Sequence, residues 1–459
     1  MPASFSTLPL SKALLKNLKD LGYKQPTEIQ AAALPDILDG QDIIGQAKTG
    51  SGKTAAFGLG ILHKLQVKRF RIQSLVLCPT RELADQVATE IRTLGRGVHN
   101  IKVLTLCGGT PFGPQIHSLE HGAHIIVGTP GRIEEHLRKG HLKLQDVQTL
   151  VLDEADRMLD MGFQEAVDKI VEEVPRKRQT LLFSATFPKQ IETLSHKIMN
   201  QPSRVEVEAT HEQDSIEQYF YPVATEDART EATLQLLLHH QPRSSIVFCN
   251  TKADTKELTT FLQSKDVSAQ ALHGDLEQRE RDQALVCFSN QSLSVLIATD
   301  VAARGLDIDA LDLVINFQIP RETEVYIHRI GRTGRAGKNG IACTLLTEKE
   351  SFKLARLEEL GYVKPAKQRL PKPSQRTLIH PPNVTLQIDG GKKQKLRPGD
   401  IVGALTKDKQ ITFDKIGKIQ VKINRSYVAI AESDWKLAFK LIDQGHLKGR
   451  KFKVRKIDF

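Results

Sequence analysis

The stretch "DIIGQAKTGSGKT" (residues 42–54) leads from an apolar run into Gly50, Gly52, Lys53 and Thr54, and the helical "AAFGLGILHKL" follows. Glycines in such a turn let backbone N–H groups point at phosphate oxygens. A lysine placed there reaches the β and γ phosphates, and the next hydroxyl ligates Mg2+. The pattern G-x-x-x-x-G-K-[ST] is met except at its first glycine, which is Ala47. Farther on, "VLDEAD" ends a second apolar run in Asp153 and Glu154. One carboxylate is suited to hold Mg2+ through water, and its neighbour to orient and deprotonate a hydrolytic water. A third segment, "HRIGRTGRAG" (328–337), sets Arg332 and Arg335 three residues apart, on one face if helical. Phosphoryl transfer needs such cations, and a second domain delivers them only when it closes. The chemistry implied is hydrolysis of a nucleoside triphosphate.

These residues need strands to carry them. The first ~360 residues alternate short apolar runs with amphipathic helical stretches. The runs are "QSLVLCPT", "AHIIVGTP", "QTLVLDEAD" and "QTLLFSAT", then "SSIVFCNT", "SVLIATD", "LDLVINF" and "GIACTLL". Apolar at nearly every position, they fit parallel strands covered on both faces, with ligands at their carboxyl ends. The polar "EATHEQDS" (208–215) parts the two sets. A Pro-rich basic stretch, "KPAKQRLPKPSQRTLIHPP", reads as an extended, partly stiff linker. The expectation is an α/β chain: two tandem parallel-sheet domains (1–208 and 209–363), the first carrying the P-loop, then the linker (364–382) and a small α+β domain (383–459).

The net charge of +11 is unevenly spread. From Asn383 onward there are 18 Lys/Arg against 8 Asp/Glu, and the rest of the chain is nearly balanced at 47 against 46. The last domain therefore seeks an anion. Five scattered cysteines without a C-x-x-C pair argue for reduced, buried thiols rather than bridges or ligands. No apolar run reaches membrane-spanning length, so the default is a soluble cytoplasmic protein with no membrane partner.

Taken together, these segments resemble the DEAD-box RNA helicases, and the literal Asp153-Glu154-Ala155-Asp156 is present. The resemblance covers residues 1 to ~360 in the family's motif order. It implies that the two parallel-sheet domains are tandem RecA-like P-loop domains, with ATP and Mg2+ as cofactors and RNA as partner. "GYKQPTEIQ" (22–30) is similar to the adenine-reading Q motif, with Gln30 as reader and Phe5 as stacking aromatic. "AKTGSGKT" matches motif I with Ala47 as the family's own form; it gives Ala47, Lys48, Thr49, Gly50, Ser51, Gly52, Lys53 and Thr54 to the nucleotide, and Thr54 and Asp153 to the metal. Lys53, Asp153, Glu154, Arg332 and Arg335 would be catalytic. "SAT" matches the segment coupling hydrolysis to closure, through Asp156, Ser184, Thr186 and His328. RNA-backbone contacts would come from Pro79, Thr80 and Arg81; Gly108 and Gly109; Thr129, Pro130, Gly131 and Arg132; and Gln278 and Arg281. Thr299 and Arg304 of "ATDVAARGLD" would also touch RNA, and Asp307 the nucleotide. Backbone contacts carry little sequence information, so this core should not choose its RNA.

The last domain reads as strand, helix, two strands, helix, strand, the order of an RRM-like fold. "INRSYVAI" (423–430) keeps only Tyr427 where that fold usually offers several aromatics, so basic loops become the expected RNA contacts. "IDGGKKQKLRPGDIVGAL", "IGKI" and "YVAI" resemble the carboxyl domain of DbpA-type helicases. That resemblance implies recognition of 23S ribosomal RNA on pre-50S particles, large-subunit assembly, and a protein acting as a monomer. The expected contacts are Lys392, Lys393, Lys395, Arg397, Lys448, Arg450 and Lys451. Set beside the unwinding enzyme are an ATP-gated RNA clamp or annealing scaffold, a helicase without rRNA preference, and a DNA-directed relative.

Overall fold

The computed structural model describes residues 4–47, 50–207, 216–303, 311–334, 340–363, 368–377, 380–407 and 410–458. The chain divides into two compact units that meet in sequence near residue 210.

The first unit is built on seven strands: β1 (Ile43–Gln46), β2 (Ser74–Leu77), β3 (Val103–Leu106), β4 (Ile125–Gly128), β5 (Thr149–Leu152), β6 (Gln179–Ser184) and β7 (Ser203–Glu206). They line up as β3-β4-β2-β5-β6-β1-β7, every pair parallel. The central strands are buried at every position because helices cover both faces, which is why their sequences do not alternate. One apolar core gathers Phe57, Val76, Val151 and Phe183, and the other gathers Leu75, Leu150, Met158 and Leu182.

The second unit repeats the scheme with β8 (Ile216–Pro222), β9 (Ser245–Cys249), β10 (Ala269–Leu272), β11 (Val295–Thr299), β12 (Leu313–Asn316) and β13 (Gly340–Leu346). Their order is β10-β11-β9-β12-β13-β8, again all parallel. To the same unit belongs a four-stranded antiparallel sheet of β14 (Asn383–Ile388), β15 (Ile416–Val421), β16 (Ser426–Ala431) and β17 (Val454–Lys456), ordered β15-β16-β14-β17. The helices Pro398–Thr406 and Trp435–Gln444 complete the expected β-α-β-β-α-β order. No described helix is long and apolar enough to cross a membrane.

The small sheet has two faces with different occupants. Leu386, Ile388, Val428 and Ile430 turn toward its own helices and form the apolar core. Thr385, Gln387, Tyr427 and Ala429 share the opposite face by register and are buried as well. The helix Gln278–Ser289 and the turn after it cover this face. Asn290 Nδ2 donates to Thr385 Oγ1 at 3.0 Å, and Ser292 Oγ meets the same oxygen at 2.7 Å. Gln283 Nε2 donates to Gln387 Oε1 at 2.9 Å, Asn383 Nδ2 to the Asn290 carbonyl at 3.0 Å, and Lys418 Nζ to Ser289 Oγ at 2.6 Å.

The described part of the Pro-rich segment is seated on a neighbouring helix. Along residues 368–377 it lies against the helix Ala228–His240. Gln235 Nε2 donates to the Pro371 carbonyl at 2.7 Å, His239 Nδ1 lies 2.8 Å from that of Lys372, and Ser374 Oγ donates to that of Leu238 at 2.8 Å. Leu370 packs on the second unit's core.

Candidate functional site

Every expected motif of the first unit except the Gln30 segment, which precedes the first strand, leaves the sheet at a carboxyl end. The strand order sorts the motifs by task. After β3, β4 and β2 come Gly108–Gly109, Thr129–Arg132 and Pro79–Arg81; after β5, β6 and β1 come Asp153–Asp156, Ser184–Thr186 and the glycine loop. One half of the edge carries the segments expected on RNA, and the other half those expected on ATP.

In the second half, the loop before the helix Lys53–Lys64 is held from outside. Gln30 Nε2 donates to the Gly52 carbonyl at 3.0 Å, its Oε1 accepts from Thr27 N at 3.0 Å, and Thr27 Oγ1 donates to the Ser51 carbonyl at 2.7 Å. Gly52 has φ +96°, and a Cβ there would collide with the Gln30 amide, so glycine is required twice over. Phe5 is buried and meets Tyr23 edge-on, with ring centroids 6.0 Å apart. Lys53 Nζ donates to the Ala47 carbonyl at 2.7 Å and faces Asp153 across the site. Thr54 takes the next position of that helix.

Asp153 is buried, and its Oδ1 has no hydrogen-bond partner. Burial pushes its carboxyl up to about 7 against the opposing pull of Lys53. A buried orphan oxygen within the field of a lysine suits a divalent cation with its water shell. Glu154 caps the helix Ala155–Asp160 with left-handed backbone, φ 52° and ψ 52°. Asp156 Oδ2 accepts from the Thr186 N–H and hydroxyl, both at 2.9 Å, and from Ala185 N at 3.2 Å. Ser184 Oγ donates to the Thr186 carbonyl at 2.6 Å, and the Ser184 carbonyl accepts from Ala47 N at 3.1 Å. A continuous hydrogen-bonded path therefore joins the acidic motif, "SAT" and the glycine loop.

The other half is made of helix starts and turns. Thr80 caps the helix Arg81–Leu94 by accepting from Leu83 N at 3.3 Å, with Pro79 just before it. Thr129 precedes the helix Pro130–Arg138, with proline in its first turn and Gly131 and Arg132 following. Arg132 Nη1 donates to the Thr110 carbonyl at 3.1 Å and so fastens this helix to the Gly108–Gly109 turn.

In the second unit, Gln278 opens the helix whose later turns cover the small sheet; Arg281 Nη2 donates to the Ala302 carbonyl at 2.7 Å. Thr299 ends β11, and His328 lies in the helix Thr323–Ile330. That helix stops at Gly331, so Arg332 sits buried in the following turn rather than on a helical face shared with Arg335. Arg335, Arg304, Asp307, Lys48 and Thr49 lie outside the described residues.

Three buried arginines escaped the motif reading, Arg229 in the second unit's first helix and two nearer the strand ends. Arg329 reaches Asp300 at 2.6 and 2.7 Å, Asn250 Oδ1 at 2.8 Å and the Gln318 carbonyl at 2.8 Å, tying together the ends of β9, β11 and β12. Arg157 donates to Glu154 at 2.8 Å. An arginine inside an apolar helix pattern is the one sequence signal either gave.

The cations expected on RNA sit on loops of the small domain that adjoin at one end. Lys392 N and Lys393 N donate to the carbonyls of Lys422 and Ile423 at 2.8 and 3.0 Å, and Lys448 Nζ donates to the Lys395 carbonyl at 3.1 Å. The 392–397 loop, which includes Arg397, thus adjoins both the β15–β16 turn and the 447–451 turn with Arg450 and Lys451. Lys422 and Arg425 join this group although the sequence reading passed over them, and Ile423 protrudes among them, exposed.

Comparison with known proteins agrees along the whole length. Family models match as DEAD/DEAH box helicase over residues 27–194, helicase conserved C-terminal domain over 228–337 and DbpA RNA binding domain over 385–456. The chain is 50% identical to the ATP-dependent RNA helicase DbpA of Escherichia coli across 98% of its own length and 99% of that protein. It is 45% identical to the DEAD-box ATP-dependent RNA helicase CshA of Geobacillus kaustophilus, covering 77% of this chain and 76% of that one. Among solved structures, Saccharomyces cerevisiae Dbp5 bound to RNA and ADP BeF3 superposes with a TM-score of 0.73 at 31% identity, over 80% of this chain and 96% of that chain. The phosphate loop, the acidic motif and the basic small domain thus fall within one lineage: this chain belongs to the DEAD-box ATP-dependent RNA helicases of the DbpA type.

Proposed function

We propose that the enzyme remodels 23S ribosomal RNA in pre-50S particles, acting as a cytoplasmic monomer that is steered by its last domain. The observation carrying this reading is the basic end of that domain. Its sheet face, where an RRM-like fold usually stacks bases, is occupied by the helix Gln278–Ser289. Lys392, Lys393, Lys395, Lys422, Arg425, Lys448, Arg450 and Lys451 instead gather on three adjoining loops, suited to a folded RNA element read by its backbone and shape.

On this reading the core supplies force and the tail supplies address. Thr54, and Asp153 through water, would hold Mg2+, which would supply charge neutralisation at the phosphates. Lys53 leaves the Ala47 carbonyl for the γ phosphate. Glu154 takes a proton from water as its oxygen bonds to the γ phosphorus, and the bond to the β-phosphate oxygen breaks to release ADP. Arg332 and Arg335 stabilise the charge on the transferring group. Asp156 passes the change at the phosphates to Thr186. ATP and RNA bound together favour closure, the gripped strand bends out of A-form geometry, and a few base pairs are lost.

The test is RNA-stimulated ATPase on the intact chain with 23S rRNA, an unrelated RNA and DNA, beside the triple variant K392E/K393E/K448E. The reading expects stimulation to favour rRNA, and the variant to lose that preference while keeping its response to unrelated RNA. Equal stimulation by all RNAs in the parent protein would reduce it to a helicase without rRNA specificity.

A further inference from the structure

We propose that Arg157 is a positioning residue for hydrolysis: through its ion pair it holds the Glu154 carboxylate in the orientation from which it activates water. This rests on the reading of Glu154 as the base. Arg157 Nη1 donates to Glu154 Oε2 at 2.8 Å, and both side chains are at least 95% buried. Burial keeps the guanidinium away from RNA, so its effect passes through what it touches.

Three features make the pair more than packing. Glu154 caps the short helix Ala155–Asp160 and Arg157 lies in it three residues on, so the turn itself brings the two side chains together. Glu154 occupies left-handed backbone, sparsely populated for a residue with a side chain, so its direction requires an outside restraint. The restraint also has a second arm: the Arg157 backbone N–H donates to Asp156 Oδ1 at 3.0 Å, while Asp156 Oδ2 is taken up by Thr186. One residue thus ties the carboxylate that meets water to the carboxylate that couples hydrolysis to "SAT". A planar guanidinium fixes the rotation of a carboxylate better than a point charge does, because its donors are rigidly arrayed.

The experiment is a double-mutant cycle on the full chain, with Arg157→Gln made in the parent and in Glu154→Gln and turnover read under single-turnover conditions. ATP and RNA affinities and the thermal midpoint are measured beside it. Misplacing a catalytic group by about 1 Å costs roughly 10²-fold, so Arg157→Gln should lower kcat by about that factor with little change in KM for ATP. It should cost nothing further once Glu154 is glutamine, and Arg157→Lys should recover part of the loss. If Arg157→Gln is too unstable, the cycle is run with Arg157→Lys, whose smaller loss must likewise vanish in Glu154→Gln. Equal losses in both backgrounds, or a loss confined to KM, overturn the proposal. Near-normal turnover by Glu154→Gln alone overturns the base assignment instead, and the two failures are distinguishable.

Discussion

The two halves of the first sheet's carboxyl edge are built from different materials. The half after β5, β6 and β1 holds buried charges that brace one another: Lys53, Asp153, Glu154, Asp156 and Arg157. The half after β3, β4 and β2 presents helix starts, three glycines and two arginines, Arg81 and Arg132, each held by a neighbour. Chemistry at a phosphorus atom needs fixed charges in a dry place, where their fields are strong and need no rearrangement. Gripping a nucleic-acid backbone needs outward N–H groups and room for close approach, and identical grips serve any sequence. On the proposed reading, one edge divides into a catalytic bank and a permissive holding bank.

If the division is correct, changes on each bank should strike different quantities. The largest effect belongs to Glu154→Gln: turnover should fall about 10²–10⁴-fold, the range for a positioned base, while ATP and RNA still bind. A parallel loss of RNA affinity would erase the boundary between the banks. Gln30→Ala comes next. It removes the clamp on the Gly52 carbonyl, worth about 1 kcal/mol as a hydrogen bond. KM for ATP should rise about fivefold with RNA affinity unchanged in equilibrium binding, and a shift in RNA affinity instead would move Gln30 to the other bank. The smallest is Arg132→Ala, which frees the Gly108–Gly109 turn. RNA half-saturation should rise a few-fold and kcat at saturating RNA should hold, in keeping with one backbone contact among many.

Much of the catalytic bank was legible because its residues are contiguous. "GSGKT" and "DEAD" each place their groups within one turn, so spacing alone carries the chemistry. The parallel sheets were legible from runs such as "LVL" and "IIV", which fit only strands covered on both sides. Arg329 was not, since its partners Asn250, Asp300 and Gln318 come from three strand ends that only the folded topology unites. Whether Arg332 was helical stayed open in the sequence, and Gly331 ends the helix before it. Tyr427 is a clearer case. The scarcity of aromatics around it was visible, whereas the reason is a helix more than a hundred residues earlier in the chain that lies over that face.

The linker and the buried polar face have a consequence for what a cut chain would do. Five side-chain hydrogen bonds hold the small sheet on its helix, and residues 368–377 are separately fastened to another helix. A single proteolytic nick between Thr377 and Asn383 would sever the covalent path and leave this seat in place. The fragments should elute together in gel filtration and part only in denaturant. Continuity of the backbone and cohesion of the particle are separate properties here, and it is the second that decides where the address label stays.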